Sequence, residues 1–474
     1  MEKHEPEQET FIKEEYSREE GSEQQKRFEI FTKTPVRPLV LKLAVPTILG
    51  MLVTTIYNLT DTFFISQLGQ KSMTAAIGII FSFFSLIQAI GFMFGHGSGN
   101  YISRQLGKHK VEDAKNMAAT GFFSSFFTGI VIMVFAFLFQ KPLVVLLGGG
   151  GSEALFRNSL EYLKFLLFSI PCMVGSLTLN NQLRLQGNAK DGILCMVSGM
   201  ILNMILDPFF IFIGGMELRG AALATLIGQM VTLVLLYGMT RKKENVGIEW
   251  KRVSVNGKNL KQILAGGAPN LLRQGIGSVS GVLLNYAAAV YGESMIAAFT
   301  VSSRVLMLIF GIVIGFGQGF QPVCGYNYGA KIYQRVKDAF VFSIRVTTIF
   351  LLFMMAVLFM SAEPVMHLFS KEADVVAYGV SILRYQCISF PLMGFYILVG
   401  MLLQNIGKFG KASVCAAARQ GIFLLPAILL LPYFLGMTGL FLCQPVADVL
   451  SAGLAFWMIR GNLEEIMENR AHGT

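Results

Sequence analysis

The sequence predicts an all-α integral membrane protein: twelve transmembrane helices in two six-helix lobes related by a parallel repeat. Three observations carry this. Of 474 residues, 53% are hydrophobic and only 14% charged, and the mean hydropathy is +0.57, far outside the range of a soluble chain of this size. Apolar runs of about 20 residues recur along the sequence, each long enough to cross roughly 30 Å of hydrocarbon. The second half repeats landmarks of the first at an offset of about 220 residues.

Taken in order, residues 1–36 read as a disordered cytoplasmic tail, because their first stretch is rich in Glu and poor in apolar side chains. No signal peptide is read there, since no apolar core follows the charges. The first six spans fall at about 40–66, 74–102, 116–140, 157–182, 190–214 and 219–240, making an N-terminal lobe over 37–240. Residues 241–259 form a polar cytoplasmic linker. A second set at about 261–290, 296–325, 339–361, 375–403, 410–433 and 438–460 makes a C-terminal lobe over 260–460, and 461–474 is a cytoplasmic tail.

Loop charge supports this count. With the N-terminus cytoplasmic, the inner loops hold Arg104, Lys108, Lys110, Lys115, Arg184, Lys190, Arg241 to Lys243, Arg252, Lys331, Arg335, Lys337, Lys408 and Lys411. The outer loops hold only Lys71, Lys141, Arg157, Arg219 and Lys371. Short inner loops are expected to carry this excess, and both termini then lie in the cytoplasm. The same distribution explains the net charge of +10 without nucleic acid. All six cysteines sit in or beside apolar spans and none forms a C-x-x-C pair, so neither a disulfide framework nor a zinc site is indicated.

The repeat can be followed residue by residue. Leu43-Ala44-Val45-Pro46 corresponds to Ala265-Gly266-Gly267-Ala268-Pro269, and Leu68-Gly69 to Tyr291-Gly292. Phe94-Gly95-His96-Gly97 corresponds to Phe316-Gly317-Gln318-Gly319, with Gly107 and Gly329 ten residues on, and Ser169-Ile170-Pro171 to Ser389-Phe390-Pro391. Six spans per half keep the two halves in one orientation, a transporter architecture.

Inside the fifth span lies Asn203-Met204-Ile205-Leu206-Asp207-Pro208. An ionisable group at membrane depth costs a few kcal/mol or more, so it marks function by default. Asn203 and Asp207 are four apart and share a helix face, and Pro208 frees a carbonyl one turn back. Such an oxygen-rich face suits a hard cation or a proton. Asp61, near the outer end of span one, has Tyr57 one turn earlier on its own face. If Asp61 and Asp207 share a pocket, desolvation and repulsion prevent both from staying ionised without H⁺ or Na⁺. A proton needs only the carboxylates; Na⁺ also wants neutral oxygens.

These residues resemble the multidrug and toxic compound extrusion (MATE) transporters over roughly 37–460. The resemblance rests on Pro46 with Asp61-Thr62 and Leu68-Gly69, on the Gly-rich end of span two before Gly107, and on Asn203-x3-Asp207-Pro208. In the archaeal and bacterial branch of that family a cation site lies in the N-terminal lobe, and its positions match Asp61, Asn203, Asp207 and Thr225. Nearby family positions match Tyr57 and Asn180, which would line or support the substrate cavity. Another branch uses a glutamate on span seven and an aspartate on span ten. This chain has Arg273 and Gln274, then Arg384 and Gln386, at those spans, so a C-terminal coupling site is not expected.

The resemblance implies a multidrug efflux antiporter of the cell membrane that exchanges small amphipathic or cationic compounds for H⁺ or Na⁺ by alternating access. It implies no enzyme activity and no cofactor beyond the coupling ion. The partners expected are small-molecule drugs and membrane lipids, with no nucleic acid, and the protein is expected to be monomeric. The 40 Phe and 24 Met suit a cavity that tolerates varied apolar ligands. In the second lobe Arg273 and Arg304 lie deep, and Asp448 is the acid that could pair with them structurally. Arg345 and Arg419, near cytoplasmic helix ends, are expected to snorkel, and His96 to be a packing or loop-end residue. A lipid-linked sugar flippase is the alternative; it would want a basic central cavity, which Arg273, Arg304 and Arg384 keep open and the two acids oppose.

Overall fold

The computed structural model describes residues 22–66 and 71–468, with side chains over 22–57 and 72–461. Every regular element among them is a helix. The chain begins with α1 (22–33) and α2 (Val36–Ser66), α3 (Lys71–Gly107), α4 (Val111–Leu138), α5 (Gln140–Leu146) and α6 (Glu153–Leu166). It continues with α7 (Ile170–Leu185), α8 (Ala189–Pro208), α9 (Glu217–Thr240), α10 (Gly257–Ala289) and α11 (Glu293–Gly329). The last elements are α12 (Tyr333–Phe369), α13 (Ala373–Cys387), α14 (Phe390–Asn405), α15 (Phe409–Ala417) and α16 (Leu424–Glu468).

Among the described residues nine helical stretches are long and apolar enough to cross a bilayer, and the bent pair α13–α14 makes a tenth. α10, 33 residues long, is diluted by Lys258, Lys261 and Arg273 and supplies an eleventh. The stretch Phe409–Gly461 breaks at Gly436, whose φ of 58° and ψ of −136° no helix accepts; glycine tolerates that backbone because it has no Cβ. Division there completes twelve spans. The two Ser-x-Pro matches of the repeat also mark breaks: Leu167–Ser169 is a 3₁₀ turn before Pro171, and α13 and α14 meet at 57° just before Pro391.

The lobes join through equivalent partners. α3 of the first lobe lies along α10 of the second, and α11 of the second lies along α2 of the first. Repeat-related glycines make this close approach possible. A Cβ on Gly97 would strike the Ile263 carbonyl, one on Gly319 the backbone of Ala44, one on Gly107 the Tyr326 carbonyl, and one on Gly329 the Arg104 carbonyl. Thr47 on α2 donates to the Gly315 carbonyl at 2.6 Å. All these contacts sit at the end of the bundle that also carries α1 and the 241–256 linker. Outward faces are apolar, as a lipid-facing surface must be: Ile205, Val234, Phe353 and Trp457 are exposed.

One boundary is corrected. Residues 22–35 belong to no disordered tail. α1 docks across the lobe junction, with Phe31 buried and stacked on Tyr326 at 4.2 Å and Phe28 half-buried against His109, because these two rings offset the charges around them. At the other end α16 runs on to Glu468, so the first part of the expected tail continues the last helix.

Candidate functional site

Asn203, Asp207 and Thr225 come together between α8 and α9. Small residues let these helices approach: Gly199 lies against Gly228 and Thr232, and Gly228 against Asn203, the packing that membrane helices favour. The four-residue spacing then puts Gly199, Asn203 and Asp207 on one face. Asp207 is 1% exposed and Asn203 2%, whereas Ile205 between them is 62% exposed on the opposite face. The carboxylate therefore points into the lobe and not to lipid.

Asn203 Nδ2 lies 3.3 Å from Thr225 Oγ1. With the amide turned over, its nitrogen donates to Asp207 Oδ2 at 3.3 Å and its oxygen accepts from the Thr225 backbone N–H at 2.9 Å. That orientation satisfies both ends of the amide, so hydrogen bonding favours it. Asn203 then ties the acid of α8 to the backbone of α9. Pro208 ends the α-helical part of α8 and a π-helical turn, Phe209–Ile213, follows; such turns recur at functional sites because they shift side-chain register locally.

Tyr57 and Asn180 line a cavity of about 130 Å³ in the first lobe, together with Gln88, Met196, Met200 and Gln229. Asn203 and Thr225 lie one helical turn beyond Met200 and Gln229 along α8 and α9. Asp61 lies in α2, but its side chain is outside the described residues.

A buried polar belt at the lobe boundary was not anticipated from the sequence. Arg184 on α7, counted there among the loop cations, is 3% exposed. Its guanidinium donates to the Gln318 carbonyl at 2.9 Å, Gln321 Oε1 at 2.8 Å and Asn181 Oδ1 at 2.8 Å. It also lies 3.0 Å from His96 Nε2. His96 is 2% exposed in the interior of α3, so it packs and is not at a loop end; beyond packing it joins this network, its Nδ1, 3.0 Å from the Phe92 carbonyl, carrying the proton while Nε2 accepts. His96 and Gln318 occupy equivalent positions of the repeat, so Arg184 fastens the two halves near their shared axis. Arg104, also read as a loop cation, donates to the Asn405 carbonyl at 2.7 Å.

The second-lobe cluster is rearranged relative to expectation. Asp448 pairs with Arg419 at 2.6 Å and accepts from Ser389 at 2.6 Å and Tyr396 at 3.2 Å. Arg419 does not snorkel: a π-helical turn, Ala418–Phe423, carries it beside the acid. Arg273 instead donates to Asn270 Oδ1 at 3.0 Å, and Arg304 is exposed, so neither is the partner of Asp448.

The MatE family model matches this chain twice, over residues 46–209 and 269–429, the two halves of the repeat. The chain belongs to the MatE family. Curated relatives include the multidrug export protein MepA of Staphylococcus haemolyticus, 27% identical over 431 residues, covering 90% of this chain and 94% of the relative. MepA of Staphylococcus aureus is 28% identical over 440 residues, covering 91% and 96%. Among solved structures, an outward-facing multidrug resistance MATE transporter of the MOP superfamily superposes with a TM-score of 0.86 at 26% identity, covering 93% of this chain and 98% of the other. A MATE protein in its bent conformation gives 0.87 at 27% identity, covering 94% and 99%. The MatE fold is thus shared over nearly the whole chain, including α8 and α9.

Proposed function

We propose that the chain is a multidrug efflux antiporter of the cell membrane, exporting small amphipathic or cationic compounds in exchange for H⁺ or Na⁺. The observation that carries the coupling half of this reading is Asp207. A carboxylate 1% exposed inside a membrane helix and tied by an amide to the next helix is a costly group to retain without a task. The export half rests on family membership and on the MepA relatives.

In this reading Asp61, Asn203, Asp207 and Thr225 form the cation site, and Tyr57 and Asn180 face the drug. Gly50 on α2 packs on Ile193 of α8, and spans one and five run in the same direction. Counting forward at roughly 1.5 Å per residue brings positions 61 and 207 to within about one turn of the same depth. A cation entering the cluster neutralises the acid; the wall formed by α2, α8 and α9 then repacks and the cavity loses affinity for drug. Coupling of this kind needs the two ligands to prefer different states by a few kcal/mol. Both termini lie in the cytoplasm, so the joined ends of the lobes close the cytoplasmic side.

Everted membrane vesicles loaded by this protein with a cationic dye test the reading, with Na⁺ and pH gradients imposed separately. Dye movement is expected to respond to one gradient and to collapse with it. Movement insensitive to both would overturn ion-coupled export.

A further inference from the structure

A second cavity lies in the other lobe. It measures about 350 Å³ and is lined by α10, α11, α14, α15, the π-helical turn Ala418–Phe423 and Gln444 of α16. This is within the span of roughly 300–1,000 Å³ that small-molecule pockets occupy. One wall is apolar, built from Leu306, Met307, Phe310 and Met401. The facing corner is polar, and its charges do not cancel.

Arg419 enters this cavity with its own counter-ion, since Asp448 holds its Nε at 2.6 Å, and its guanidinium lies over the Phe310 ring. Arg273 has no such partner: among the described residues its one hydrogen bond is to the neutral Asn270 amide, and no carboxylate pairs with it. A buried lysine could shed its proton; arginine cannot. Beside it Asn270 is 4% exposed, and its Nδ2 has no hydrogen-bond partner. Buried donors left without acceptors are uncommon and costly. Both side chains lie on one face of α10, three residues apart, just past Pro269. The corner therefore presents a guanidinium fork and an amide donor and asks for acceptors of negative charge. The fork suits two oxygens on one carbon or phosphorus.

We infer that this second-lobe cavity binds an amphipathic anion, with carboxylate or phosphate oxygens against Arg273 and Asn270 and an apolar body along Phe310 and Met401. In the first-lobe cavity Arg184 also has no carboxylate partner among the described residues, but its two terminal nitrogens are taken up by the four neutral acceptors described above and only its buried Nε is left over, so it offers no open fork. The site makes no use of Asp207 and stands apart from the export reading.

The test is equilibrium binding to the purified full-length protein in nanodiscs of zwitterionic phosphatidylcholine. Three probes share one ring system: 1-naphthyl phosphate, 1-naphthaleneacetate and 1-naphthylmethylammonium. The two anions are expected to bind at least about tenfold more tightly than the cation, the scale of one charged hydrogen bond. Arg273→Gln is expected to erase that difference, and Arg273→Lys to keep most of it. The wild-type comparison needs no variant, so a variant that fails to fold leaves the test intact. Equal binding of anions and cation, or no binding, would overturn the inference, as would unchanged anion binding in folded Arg273→Gln. Repeating the titration in nanodiscs containing phosphatidylglycerol separates the sources. Loss of naphthyl phosphate binding there assigns the site to a lipid headgroup, and unchanged binding assigns it to a soluble anion.

Discussion

Phe31 of α1 stacks on Tyr326 of α11, ring centroids 4.2 Å apart and planes 12° from parallel. Around this pair α1 holds both halves. Gly187 of the first lobe leaves no room for a Cβ beside the Phe31 ring, and Arg335 of the second donates to the carbonyls of Phe31 at 3.1 Å and Thr34 at 2.5 Å. Substituting Phe31→Ala removes a buried ring, a change that costs roughly 3–5 kcal/mol in a packed core. Amide hydrogen exchange is expected to rise steeply over 22–33 while α3 and α11 keep their protection. Unchanged exchange in 22–33 would show that α1 is held by its other contacts.

The glycine seam makes a sharper steric prediction. Gly107 and Gly329 face each other near the repeat axis, and a Cβ on either meets a main-chain carbonyl of the other lobe, which cannot move aside as a side-chain end can. Gly107→Ala is expected to lower the thermal unfolding midpoint of the detergent-solubilised protein and to reduce its folded yield. Gly78→Ala, on the same helix with nothing within 4 Å, is expected to be neutral or to stabilise by up to about 1 kcal/mol, since alanine loses less backbone freedom in a helix.

Most of this architecture can be read from the sequence, and the reasons are physical. Bilayer thickness imposes span length, so apolar runs report helices, and an offset that holds from Pro46 and Pro269 to Pro171 and Pro391 reports the repeat. Arg104 and Arg184 escaped because a loop-charge tally counts cations at helix ends without knowing what faces them. Both lie at the joined end of the lobes, where the neighbour is protein and not water. The partner of Asp448 escaped for another reason: the π-helical turn at Ala418–Phe423 rotates Arg419 inward, and no local pattern announces such a turn. Asn203 and Asp207 were legible because a four-residue spacing survives in any straight helix, whereas their link to Thr225 needs the approach of α9 along Gly199 and Gly228.

The Arg419–Asp448 pair yields a cycle. Breaking a buried pair from one side leaves an uncompensated charge and costs roughly 3–5 kcal/mol. Arg419→Met and Asp448→Asn are each expected to destabilise strongly, measured by thermal unfolding in detergent. The double variant is expected to be clearly more stable than the sum of the two losses implies, because it leaves no charge behind. Additive losses would mean the two groups do not depend on one another.

The most direct measurement is ion movement evoked by drug in proteoliposomes, for the wild type and for Asp207→Asn. The replacement keeps the size of the side chain and removes its charge. The account predicts that drug addition moves H⁺ or Na⁺ through the wild type, and that Asp207→Asn reduces this flux about tenfold or more, the scale of a typical coupling energy, while the variant still folds and binds drug. Undiminished drug-evoked ion flux through folded Asp207→Asn would contradict it.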